Sequence, residues 1–135
     1  MNEERLARLE ALLRAPLPED TTFNMDFWTH RKAGECGTAA CAAGLAMLDP
    51  WFQAQGLWGG GGNWVRPHFE GRTEYDALTA FFGIRLHEAM HIFCGNEYPR
   101  QEADPLNEPR WLPSLATPEM VADRIRTLLD THREP

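Results

Sequence analysis

No stretch of this chain approaches eighteen uninterrupted apolar residues, so no segment reads as a membrane-spanning helix. An apolar leader is missing too. Glu3, Glu4, Arg5, Arg8, Glu10 and Arg14 crowd the first fourteen residues, where a signal peptide would hold its apolar core. Cysteine is scarce and odd in number: Cys36, Cys41 and Cys94. Three cysteines build no disulfide framework. Without a secretion signal they point to reduced thiols and a cytoplasmic setting. Basic runs are also lacking. Arg31-Lys32 is a lone pair, the other arginines are scattered, and the formal net charge is -7. Such a surface repels phosphate backbones, so nucleic acid is not an expected partner. The negative charge favours solubility or a partner with a basic surface.

What is present is ordinary for a folded domain. The 135 residues are 43% hydrophobic and 24% charged. That length fits one domain over residues 1–135, large enough to bury a core without staples.

Periodicity places the helices. Leu6, Leu9 and Leu13, with Leu12 beside them, give residues 2–14 an apolar stripe, which Pro16 and Pro18 end. Residues Phe23 to Trp28 alternate loosely and suit a short strand or an extended anchor whose large side chains plug the core. A second helix is expected to start at Cys36 or Thr38 and reach Leu48, because alanine dominates there. Ala40, Gly44, Met47 and Leu48 would line one side of it, with a close helix crossing at Gly44. Asp49-Pro50 interrupts, and Trp51-Phe52 opens one more turn. Trp58-Gly59-Gly60-Gly61-Gly62-Asn63-Trp64 reads as a loop with structural slack, or as a lid over a pocket. It is no phosphate loop, since no lysine followed by serine or threonine closes it.

Thr73 and Asp76 have capping-box spacing for a helix running to Phe82. Gly83 breaks it, and Leu86 to Phe93 forms the next helix. Residues 95–117 contain four prolines and read as a long ordered loop. Thr117-Pro118 opens a final helix with Val121, Ile125, Leu128 and Leu129 as its apolar stripe. The expected fold is therefore mainly α, a compact single helical domain with long loops and a short β element in its N-terminal third.

Two patterns carry possible chemistry. The first is His87-Glu88-Ala89-Met90-His91. Histidines four apart on a helix share a face and can reach one metal. Glu88 stands where a general base would act on zinc-bound water. This matches the minimal zinc-peptidase signature. Catalytic zinc needs a third protein ligand, and Cys94, three residues past His91, is the candidate. Glu97, Glu102, Asp104 and Glu108 are carboxylate substitutes. Longer zinc-protease signatures put glycine at the position of Cys94 and then a third histidine. Here Gly95 falls one place late and no histidine follows before His132. A His-His-Cys set joined by Cys36 or Cys41 would be structural instead. On the other reading, His87 and Glu88 are solvated, His91 is partly buried, and there is no cofactor.

The second pattern is Gly34-Glu35-Cys36-Gly37 ahead of a small-residue helix. It resembles the start of a papain-like cysteine hydrolase. That resemblance implies a nucleophilic Cys36 at a helix N-terminus, with His68, His87 or His91 as base. Arg31 and Lys32 occupy the region where that family has its oxyanion glutamine, and no aromatic residue follows the cysteine. Cys41 is expected in the core.

Trp28, the run Cys36-Gly37-Thr38-Ala39-Ala40-Cys41-Ala42-Ala43-Gly44-Leu45-Ala46, and later Phe81-Phe82-Gly83-Ile84 with Glu88-Ala89 and Ile92-Phe93 resemble small bacterial and phage proteins without an established activity. The likeness covers residues 23–94. It implies that Cys36, Gly37, Thr38, Cys41 and Gly44 act together in fold support. Neither enzymatic set closes on itself, so the leading expectation is a non-enzymatic domain that binds another protein. Its contact surfaces would be segment 95–117 and the tryptophan-flanked glycine loop. A zinc hydrolase using Glu88 with His87, His91 and Cys94, and a cysteine hydrolase using Cys36, are the alternatives. Oligomeric state is left open.

Overall fold

The computed structural model describes residues 1–19, 21–25, 28–31, 38–60, 64–99 and 115–133. Among them, helices predominate, as expected. They are α1 (Glu3–Arg14), α2 (Ala42–Leu48), α3 (Pro50–Ala54), α4 (Glu74–Phe82), α5 (Leu86–Phe93) and α6 (Pro118–Arg133). The β portion extends well past the N-terminal third. Six short strands are described: β1 (Thr21–Phe23), β2 (Thr29–Arg31), β3 (Thr38–Ala40), β4 (Trp58–Gly60), β5 (Trp64–Phe69) and β6 (Arg72–Thr73).

α1 follows its leucine stripe. Leu6, Leu9 and Leu13 are buried, each stabilising by about 1.5–3 kcal/mol relative to exposure. Asn2 caps the helix, its side chain accepting from the Arg5 N–H at 3.0 Å. Pro16 forces Ala15 out of helical geometry, to φ -81 and ψ 160. α6 packs along α1. It begins as read, with Thr117 Oγ1 accepting from the Met120 N–H at 3.2 Å. Val121, Ile125 and Leu129 are buried, and Leu128 is packed against the core at its edge. Ion pairs Glu10–Arg126 (2.6 Å) and Arg14–Asp123 (2.9 Å) tie the two helices together. No described helix is long and apolar enough to cross a membrane.

The alanine-rich run departs from its propensity. Residues Thr38 to Ala40 are a strand, paired parallel with β1 and antiparallel with β2. The helix starts only at Ala42. Two flanking strands satisfy this backbone on both edges, and tertiary pairing overrides a preference of a few tenths of a kcal/mol per residue. Cys41, extended at φ -85 and ψ -174, is the N-cap, and its sulfur accepts from the Gly44 N–H at 3.4 Å. α2 is buried all round from Ala42 to Met47, so the expected one-sided stripe is absent and Leu48 is 47% exposed. Cys36 and Gly37 lie outside the described residues. α3 forms as read, Asp49 accepting from the Trp51 N–H at 3.1 Å.

The glycine run is not slack where it is described. Trp58, Gly59 and Gly60 form β4, antiparallel to β5 in the register Trp58↔His68, Gly59↔Pro67, Gly60↔Arg66. Gly61, Gly62 and Asn63 lie outside the described residues. A Cβ on Gly59 would stand 2.5 Å from Val65 Cγ1 and 3.3 Å from Met47 Sδ. The absent side chain leaves space for packing.

The sheet order is β1-β3-β2-β5-β4, and β6 pairs the far end of β5. β5 meets β2 at residues 64 and 65 and β6 at 68 and 69. Pro67 falls between those stretches and is in register with Gly59 of β4. Glu70 (φ 49) and Gly71 (φ 79) join β5 to β6 with the two positive φ angles of a type I′ turn.

α4 and α5 form the expected pair around Gly83, a left-handed cap at φ 64. The Thr73–Asp76 capping box does not form. Thr73 belongs to β6, makes no side-chain cap bond, and Glu74 enters the helix at φ 56. Phe52, Phe81, Phe82 and Phe93 fill the centre of the core, with neighbouring centroids 4.9–6.4 Å apart.

Candidate functional site

α5 carries the histidine motif on a well-anchored helix. At its start, Glu88 Oε1 accepts from the Arg85 N–H at 2.8 Å. The carboxylate proposed as a general base is thus engaged in capping. At its end, Arg124 of α6 donates to the His91 carbonyl at 2.7 Å and to the Glu97 carbonyl at 2.8 Å. The same guanidinium lies 3.6 Å from the centroid of the Tyr98 ring. Tyr98 in turn donates its hydroxyl to the Ile92 carbonyl at 2.7 Å. These bonds bind the last turn of α5 and the following 3-10 turn (Gly95–Glu97) to α6.

His87 and His91 are exposed and share a hollow of about 120 Å³ with Glu88, Ile92, Arg124 and Leu128. Partial burial, then the Arg124 charge, pushes the His91 pKa down, with Glu97 pulling the other way. Burial and the Arg124 charge both favour the neutral imidazole. A wider hollow of about 390 Å³ adjoins, sharing Glu88 and Leu128 and adding Arg85 and His132. Cys94 is the C-cap of α5 and does not line either hollow. Among the described residues, no three His, Cys, Asp or Glu side chains are grouped to hold one ion. The structure therefore brings His87, Glu88 and His91 to one hollow and leaves Cys94 outside it.

The cysteine set is described only in part. Cys36 lies outside the described residues. Cys41 is buried, as expected of a core thiol, and burial pushes its pKa up to about 12 despite N–H bonds that oppose the shift. A thiol so protonated is no nucleophile at neutral pH. His68, one of the candidate bases, stacks on Trp58 at a centroid distance of 4.2 Å and an interplanar angle of 16°.

That stack is the most distinctive surface feature. Trp58 is 52% exposed. It sits on β4, and among the described residues no strand pairs the other edge of β4. A Cβ on Gly60 would stand 2.7 Å from Trp58 Cζ3 and 3.3 Å from His68 Nε2. The two rings lie over the bare Gly60 backbone, which leaves room for them. Cross-strand packing of an aromatic ring over glycine stabilises strand register. Reading the sequence found Trp58 but missed its partnership with His68. Only the hairpin register pairs two residues ten apart. Arg124 was missed likewise, since nothing local on α6 shows that it reaches α5.

Comparison with known proteins finds no matching family model, no matching curated protein and no matching solved structure. The functional reading accordingly rests on these geometries.

Proposed function

We propose that this chain is a non-enzymatic protein-binding domain of the cytoplasm, with Trp58 as its principal anchor. The observation carrying this reading is that Trp58 is half exposed yet held by the His68 stack over Gly60. A tryptophan already fixed in one orientation loses little side-chain entropy on binding, and tryptophan is enriched among residues that dominate interface energy. The β4 edge beside it, unpaired by any strand among the described residues, offers backbone groups for strand addition. Part of the other expected contact surface, residues 100–114, lies outside the described residues.

The test is site-specific photocrosslinking from position 58 in cells, with Leu86, another exposed apolar residue, as the control position. The partner recovered is then purified and titrated against wild type and Trp58→Ala. Removing a dominant anchor costs about 2 kcal/mol or more, roughly a thirtyfold loss of affinity. An unchanged affinity in Trp58→Ala, or no crosslink specific to position 58, defeats the proposal.

A further inference from the structure

Among the described residues no third ligand is grouped with the histidine motif, and Glu102, Asp104 and Glu108 lie outside them; the pair itself has a simpler use. We propose that His87 and His91 form a two-histidine site on the solvent face of α5 for a borderline divalent transition-metal ion such as zinc, independent of the Trp58 surface. Positions four apart on a helix have Cβ atoms about 5–6 Å apart, and both imidazoles can turn to one ion at about 2.0–2.1 Å. Both residues are exposed and line the same hollow, so binding needs no opening of the core.

The helix beneath them is fixed before any metal arrives. Glu88 holds the Arg85 N–H at one end. Arg124 holds the His91 carbonyl at the other. Ile92, which lines the same hollow, is buried. A site on a rigid element avoids most of the ordering cost that a loop site would incur.

The same geometry limits what the metal can do. With the two protein ligands that the described residues offer, the remaining positions go to water, whereas a hydrolytic zinc has three protein ligands. One oxygen of Glu88 is on the Arg85 N–H, and Cys94 lies outside the hollow. Arg124 brings a positive charge to the hollow, although its guanidinium is held on two carbonyls and the Tyr98 ring. The site is therefore a reversible binding site, selective for nitrogen-seeking ions over magnesium or calcium.

The experiment titrates Zn²⁺ into the full chain and follows histidine ring signals by NMR and stoichiometry by calorimetry, with Mg²⁺ as control. The expected result is saturable binding of a single ion, with the His87 and His91 rings shifting together and no response to Mg²⁺. His87→Gln and His91→Gln should each weaken binding by at least about tenfold, since even loss of an outer-shell partner costs about that much. Both positions are exposed, and unchanged far-UV circular dichroism verifies the fold of each variant. Cys94→Ser and Glu88→Gln should keep the wild-type affinity. The proposal is overturned by the absence of saturation below about 1 mM, an affinity in the millimolar class that no specific site needs. It is equally overturned by wild-type affinity in either histidine variant, or by a tenfold loss in Cys94→Ser, which would make a thiolate the principal ligand.

Discussion

Substituting Gly59 by alanine distinguishes a glycine retained for space from one retained for slack, because the two readings predict opposite signs. In a slack loop, alanine would stabilise by about 0.4–1 kcal/mol by restricting the unfolded chain. In β4 the new Cβ meets Val65 Cγ1 at 2.5 Å and Met47 Sδ at 3.3 Å. Val65 is a short, β-branched side chain with little freedom to retreat, and Met47 is buried. Overpacking of this kind costs about 1–3 kcal/mol. Set against the unfolded-state gain, the expected net loss is about 1–2 kcal/mol. For a chain of this length each kcal/mol lowers Tm by about 3–5 °C, so the fall should be roughly 3–10 °C. Thermal unfolding by circular dichroism, checked by urea denaturation with an unchanged slope, measures it. Gly71→Ala is the comparison. Its φ of +79 strains any side chain, yet nothing lies within 4 Å of its Cβ. It should therefore lose only the backbone cost of about 1 kcal/mol. A Gly59→Ala protein as stable as wild type, or more so, would refute the packing argument and restore the slack reading.

Three further outcomes follow from named contacts. Arg124→Ala should destabilise by about 1–3 kcal/mol, through lost charge-assisted bonds and the Tyr98 contact. Amide exchange should then quicken in the last turn of α5 and at Gly95–Tyr98, and full rescue by Arg124→Lys would contradict the two-carbonyl clamp. The Glu10 pKa is held down first by its hydrogen bond to Arg126 and then by Arg14, with burial opposing. A depressed folded pKa means stability that is present above the ordinary glutamate range and lost as pH falls through the folded value. Solvent-exposed arginines keep the contribution below about 1 kcal/mol, and Glu10→Gln should flatten that part of the acid limb in urea unfolding. Cys41, with its pKa raised to about 12 by burial, should resist iodoacetamide at pH 8.5 until the protein unfolds. Rapid labelling of Cys41 in the folded state, read by peptide mass spectrometry, would show that the thiol is accessible and ionised.

The sequence was most legible where structure follows from neighbours along the chain. Leu6, Leu9 and Leu13 state a helix face by spacing alone, and they are buried as that spacing requires. Gly83 and Thr117-Pro118 mark helix ends by chemistry internal to a few residues, and each end falls there. Illegible features depended on partners remote in sequence. Thr38 to Ala40 have the composition of a helix and are strand because β1 and β2 stand on either side. Gly59 and Gly60 look flexible until Val65, Met47 and the Trp58–His68 stack occupy the space a side chain would need. Thr73 has capping-box spacing but is held in β6 by pairing with His68. In each case a local preference of under about 1 kcal/mol gave way to non-local pairing or packing.

The histidine motif shows the same division within five residues. A short pattern fixes what one helix face can present, and it cannot supply the group that arrives from another element. His87 and His91 share a face because of helix geometry, and they line one hollow as that geometry demands. Glu88 satisfies the spacing of a general base, yet its position at the third residue of α5 equally suits an N-terminal cap, and its oxygen is on the Arg85 N–H. What separates a capped helix with two surface imidazoles from a hydrolytic centre is a third ligand on the same side. Among the described residues, α6 supplies Arg124 there. A guanidinium cannot ligate a cation, and its donors already serve the carbonyls that terminate α5. Arg124 thus serves helix anchorage, while the remaining candidate ligands Cys36, Glu102, Asp104 and Glu108 lie outside the described residues.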